Sequence, residues 1–132
     1  MPAVLDTHAA VWYLLDSERL SKVVYSLIDD AAAGGAPTYV SATSLVEVVY
    51  LVERRRLAAN AFETLLKEVR RQNPIFATVP ADLHIAEALR RVPRSEVPDM
   101  PDRIIAATAL HLGLPLVTKD RRLQSVGIQT IW

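Results

Sequence analysis

Four isolated acids, Asp6, Glu47, Asp102 and Asp120, are spread over almost the whole chain. Each follows an apolar, strand-like run or opens the helix that comes next. Carboxylates delivered by separate strand-to-helix turns converge at the carboxyl ends of the strands, where open α/β folds bind their ligands. Two carboxylates ~5 Å apart at an effective dielectric of ~20 repel by roughly 3 kcal/mol, so three close pairs approach the stability of a whole domain. Such a cluster either shares protons or holds a hard divalent cation through oxygen ligands. With no cysteine and only three histidines, oxygen-preferring Mg²⁺, with Mn²⁺ as a substitute, suits the donor set.

Each acid taken alone also has a structural explanation. Asp6 can be a helix N-cap or an Asx-turn residue. Ser44-Leu45-Val46-Glu47 fits a capping box, whereas a helix start at Ser41 or Thr43 moves Glu47 one turn inward. Asp102 falls in the first turn of its helix, with Asp99 as cap or auxiliary ligand, and Asp120 is a plausible cap as well. It is the combination of four acids at four suitable ends that favours a shared site. His8 adjoins that site, while His84 and His111 lie on expected helices and read as packed or surface residues. Most of the grouped arginines read as solvated helix-end charges. Arg103, Lys119 and Arg121 adjoin the acids and are candidate phosphate contacts. Trp12, Tyr13 and Tyr50 read as packing residues before base-stacking platforms.

The elements that must position these residues alternate. Ala3-Val4-Leu5 is a short strand meeting Asp6-Thr7-His8, and Ala9 to Leu15 is a helix. Ser21 caps a helix through Ala33, where Val24, Leu27, Ile28 and Ala31 recur at helical spacing and Gly34-Gly35 stop it. Pro37 to Val40 is a strand. A helix from Thr43 or Ser44 to about Arg56 and another from Ala58 to Arg71 form an αα-hairpin. Ile75 to Val79 is a strand, and Asp82 caps a helix ending near Arg91. Residues 92–101, with three prolines, form a loop that delivers Asp102 to an Ala-rich helix ending before Gly113. Leu114 to Thr118 is a strand, Lys119-Asp120 opens a helical turn, and Ile128 to Trp132 is a last strand. This order predicts an α/β domain of three layers, α/β/α, with a central parallel sheet of about five strands and right-handed crossovers.

The 132 residues are those of one domain, 1–132, half apolar and balanced at fifteen basic and fifteen acidic residues. Net charge names no partner. The absence of cysteine excludes disulfides, zinc thiolates and a cysteine nucleophile. No basic leader and no apolar run near ~18 residues is present, so a cytoplasmic protein without membrane contact is expected.

The runs Val4-Leu5-Asp6-Thr7-His8-Ala9-Ala10-Val11-Trp12, Ser41-Ala42-Thr43-Ser44-Leu45-Val46-Glu47, Pro101-Asp102-Arg103-Ile104-Ile105-Ala106-Ala107-Thr108-Ala109 and Val117-Thr118-Lys119-Asp120 resemble the PIN-domain family, and within it VapC-type toxins. The likeness covers the whole chain in order and spacing. It implies a metal-dependent ribonuclease acting as the toxin of a toxin–antitoxin pair, with an RNA substrate, a cognate antitoxin that holds it inactive, and frequent homodimerisation. It carries Asp6, Glu47, Asp102 and Asp120 over as the acidic site, Asp6, Asp102 and Asp120 as metal ligands, and Thr118 as a nearby hydroxyl. Many relatives read His-x-Asp-Pro-Phe-Asp-Arg before the third acid. Here Val97-Pro98-Asp99-Met100-Pro101-Asp102-Arg103 lacks the histidine and displaces the proline.

Two enzymatic rivals fit less well. A receiver domain places an acid pair after the first strand, where Thr7 and His8 stand, and a haloacid-dehalogenase-type phosphatase requires Asp-x-Asp, where His8 stands. The alternative from another class is a non-catalytic PIN-like binding module whose acids only cap helices and which acts through partner association.

Overall fold

In the computed structural model, which describes residues 2–132, the chain runs β1 (Val4–Leu5), α1 (Thr7–Leu14), α2 (Lys22–Ala33), β2 (Thr38–Ser41), α3 (Ala42–Glu53), α4 (Ala61–Val69), β3 (Phe76–Val79), α5 (Leu83–Leu89), α6 (Met100–Leu112), β4 (Leu116–Val117), a 3₁₀ turn over Arg121–Val126, and β5 (Thr130–Ile131). All pairings are parallel and the strand order is β3-β2-β1-β4-β5. The chain therefore builds outward from β1 on one side and returns to add β4 and β5 on the other. The switch point lies between β1 and β4, the position at which such sheets open a binding crevice.

Strand alternation assigns each face its core. Leu5, Val40, Phe76 and Val117 pack with residues of α1 to α4 such as Val11, Ile28 and Leu65. Val4 and Leu116, one residue earlier in their strands, face Ile85, Ile105 and Ala109 of α5 and α6. Both faces of the sheet are thus covered, giving the expected three layers and five strands. Among the described residues no helix is long and apolar enough to cross a membrane.

Element ends differ from the sequence expectation where local chemistry intervenes. Asp6 itself caps the first helix, which starts at Thr7, and Ser41 caps α3, so Glu47 lies a turn inside it. The capping-box assignment for Ser44 and Glu47 is therefore corrected. Arg55, at a φ of 59°, turns the chain out of α3 before Arg56. Helix α4 starts at Ala61, three residues later than expected, and α6 starts at Met100 with Asp99 as its cap and Pro101 in its first turn. Proline lacks the N–H that a first helical turn does not use, which is why residues 92–101 end in helix rather than loop.

Candidate functional site

The first two acids come from helices that start at the carboxyl edge of the sheet. Asp6 follows β1 directly and accepts the Ala9 amide at 2.9 Å. One turn into α3, Glu47 receives the Thr7 hydroxyl at 2.5 Å. Thr7 Oγ1 also lies 2.8 Å from Ser44 Oγ. A hydroxyl carries one proton and a carboxylate has none to give, so Thr7 donates to Glu47 and accepts from Ser44. Thr7 and Ser44 are both buried, and the relay Ser44 to Thr7 to Glu47 fixes the glutamate across two elements.

Helix α6 brings the next pair. Asp99 Oδ2 accepts the Asp102 amide at 3.2 Å, and carboxylate oxygens of Glu47, Asp99 and Asp102 come within 4.8 Å of one another. Asp120, after β4, accepts the Arg122 amide at 3.0 Å and is gripped by the Arg122 guanidinium, with a closest contact of 2.6 Å. Thr118 links the two central strands: its Oγ1 accepts the Asp120 amide at 3.1 Å, and its hydroxyl also faces Asp6.

These surroundings divide the acids electrostatically. Loss of hydration against the cleft wall, followed by the Asp99, Glu47, Asp6 and Asp120 carboxylates, pushes the Asp102 carboxyl up to about 6. Burial raises Asp6 as well, against the opposing pull of the Ala9 amide, the Thr118 hydroxyl, His8 and Lys119. Asp120 moves the other way, held below the usual range by Arg122. Crowded carboxylates with raised proton affinity are the signature of a site short of positive charge.

All these acids line one cleft of about 500 Å³, together with Thr7, His8, Trp12, Arg19, Arg56, Lys119 and Trp132. Lys119 is thus beside the acids, as expected. Arg103 is not available for a phosphate in the way the sequence suggested. Its guanidinium donates to the Val92 carbonyl at 2.7 Å and the Leu89 carbonyl at 3.2 Å, tying the end of α5 to α6. Arg121 is exposed and outside the residues that line the cleft. The basic wall is instead made by Arg19, Arg56 and Lys119. Sequence reasoning missed the first two because neither is near one of the four site acids along the chain, and it missed Thr7 and Ser44 because a hydroxyl relay across 37 and 40 positions leaves no local pattern.

The chain as a whole is similar to known proteins. The family model described as PIN domain matches residues 3–129. The chain is 33% identical over 127 residues to Ribonuclease VapC22 of Mycobacterium tuberculosis (strain ATCC 25618 / H37Rv), a match spanning 92% of this chain and 89% of that protein. Among solved structures it is similar to VapBC2 from Rickettsia felis, bound to a DNA fragment from their promoter, with a TM-score of 0.72, 16% identity and coverage of 99% of this chain and 98% of that one. It is also similar to FitAcB from Neisseria gonorrhoeae, with a TM-score of 0.67, 22% identity and coverage of 100% and 97%. At these identities the two structures speak to the fold.

Proposed function

The chain belongs to the PIN-domain family, and from that premise we propose that it is a Mg²⁺- or Mn²⁺-dependent endoribonuclease, the toxin of a toxin–antitoxin pair. The single observation that carries the reading is the gathering of Asp6, Glu47, Asp99, Asp102 and Asp120 in one cleft, where oxygens of Glu47, Asp99 and Asp102 lie within 4.8 Å of one another. The donors are all carboxylate oxygens, the set that suits a small hard cation retaining several waters.

Asp6, Asp102 and Asp120 would hold the cation, with Asp99 auxiliary and Arg122 released from Asp120. A divalent ion bound there would lower the pKa of a water and supply positive charge to offset the negative charge developing on the phosphate. Glu47, fixed by Thr7 and Ser44, positions the attacking water opposite the leaving oxygen. Lys119, Arg19 and Arg56 would approach the backbone of the polyanion, contacts that a protein of zero net charge with an acidic centre needs in order to bind it. Water as nucleophile leaves a 5′-phosphate and a 3′-hydroxyl. Because this route does not use the 2′-hydroxyl, the preference for RNA rests on the relative named a ribonuclease. The likeness to VapC-type toxins supports an antitoxin partner and a homodimeric state.

The test is incubation of antitoxin-free protein with total cellular RNA and Mn²⁺, beside an EDTA control and Asp6→Asn, with the new ends mapped. Discrete fragments bearing 5′-phosphates, absent from both controls, are expected; 2′,3′-cyclic phosphate ends sink the mechanism. A binding-module reading is favoured by one fact, that Asp6, Asp99 and Asp120 each accept an amide from the helix they precede. A carboxylate has a second oxygen, so capping and ligation coexist. A melting temperature raised by ~5 mM Mn²⁺ and lost in Asp102→Asn separates ligation from capping alone.

A further inference from the structure

Both tryptophans of the chain stand in the cleft that holds the carboxylates. Trp12 and Trp132 meet edge to face, with ring centroids 5.9 Å apart at 74°. The His8 ring lies 5.3 Å from Trp12. Lys119 Nζ sits 5.2 Å from the Trp12 ring centre and 5.1 Å from that of Trp132, and Arg19 Cζ lies 5.9 Å over Trp12. Both indoles pack on the core from one side yet remain half-buried in the cleft, and Lys119 and Arg19 beside them are exposed.

We propose that this shelf is a stacking subsite for an unpaired nucleobase of a single-stranded RNA, with Trp12 as the platform and Lys119 as the cation that moves from ring to phosphate. The polymer's identity rests on the ribonuclease reading; the stacking rests on the shelf itself. A positively lined groove with aromatic faces is how proteins hold single strands without reading sequence, since every base offers a π-face. A duplex base, already stacked on its neighbours, has no face to give, and the major groove of an RNA helix is too narrow for side chains to enter. The cation–π contacts are weak where solvent reaches them, so a base exchanges readily for the ammonium. Once displaced, Lys119 remains beside Thr118 and Asp120, where the flanking phosphate arrives. Trp12 lies six residues beyond Asp6, ~9 Å along α1, so a stacked base is a near neighbour of the phosphate at the acids.

Because the chain has no other tryptophan, indole emission reports this place alone, and Trp132→Phe leaves Trp12 as sole reporter. In the Asp102→Asn background, chosen to prevent cleavage, a short single-stranded RNA is titrated beside the same backbone stripped of its bases and beside an RNA duplex. The base-bearing strand is expected to quench emission and to bind about five- to a hundredfold more tightly than the abasic one. Trp12→Ala should erase that difference, Trp12→Phe should keep most of it, and Lys119→Ala should weaken both single strands alike and lower the salt slope by about one. Equal affinity for abasic and base-bearing strands overturns the subsite. So does a Trp12→Ala variant that keeps the parent's melting temperature and the full preference. Base preference without any cleavage by the wild type in Mn²⁺ removes the nuclease and leaves the shelf, whereas cleavage without base preference does the reverse.

Discussion

Glu68 and Asp102 are acids with opposite surroundings. Glu68 is only 7% exposed, yet it accepts the Ile75 amide at 2.8 Å and the Arg71 guanidinium at 3.0 Å, closing the end of α4 onto the start of β3. Asp102 is less covered, yet lost hydration and then four neighbouring carboxylates push its carboxyl up to about 6. Burial therefore does not separate a structural acid from a functional one. The sign of what surrounds it does: donors converge on Glu68, and acceptors converge on Asp102. Glu68 completes the fold, whereas Asp102 belongs to a group that is complete only when a cation arrives.

The largest effect should come from Asp102→Asn. Activity is expected to fall by more than the ~10- to 100-fold typical of losing a residue that supports a metal ligand, measured as initial cleavage rate. The metal-free protein should meanwhile melt no lower than the parent at neutral pH, because one repelling charge has gone. A variant that loses both activity and stability would place Asp102 with Glu68 and break the contrast.

Thr7→Val tests the relay that aims Glu47. The valine keeps the volume and removes the proton that the Thr7 hydroxyl offers to Glu47, leaving Ser44 without its acceptor. We expect about a 10- to 100-fold loss of rate with the dependence on cation concentration shifted rather than abolished. If rate and cation dependence are both unchanged, Glu47 needs no positioning and the relay is structural.

Glu68→Gln probes the other side. The amide oxygen still accepts from Ile75, but the charge-assisted partnership with Arg71 is lost, at a cost of about 1–3 kcal/mol in denaturant unfolding. Cleavage per folded molecule should not change. A fall in specific activity at constant fold would mean that the two regions communicate through β3.

How much of this was legible in the sequence follows the same division. Alternation of apolar strands and capped helices was enough for the three layers and the parallel sheet, because both cores obey the period-two and helical patterns that each element carries on its own. Asp6 and Asp120 were legible as strand-end acids, since β1 and β4 deliver them to the switch point directly. Asp99 and Asp102 were legible as a cap and a first-turn acid. What could not be read was partnership at a distance. Glu47 fitted a capping box until Ser41 took the cap, and Arg103 looked like a phosphate contact until Val92 and Leu89 engaged it. The Trp12 and Trp132 shelf joins the two ends of the chain, and no periodicity relates residues 120 positions apart.

The smallest effect expected is in the pH dependence of stability without metal. In the unfolded chain the Asp102 carboxyl titrates near 3.8, and in the folded one near 6. Between those values the folded state binds the extra proton, so stability falls as pH rises through the window and levels off above it. Asp6 is raised and adds to the same slope. Asp120, held low by Arg122, contributes stability that is lost only as pH drops below 3.8, outside the window. Melting temperature in EDTA should therefore decline by a few degrees between ~pH 4 and ~pH 6.5, the scale of a change near 1 kcal/mol in a domain this size. Saturating Mn²⁺ should flatten or invert the decline, since the cation binds the ionised form and stabilises the fold by mass action. Asp102→Asn should shallow the slope in EDTA. A slope that Asp102→Asn leaves unchanged would mean that the crowded carboxylates are not its source.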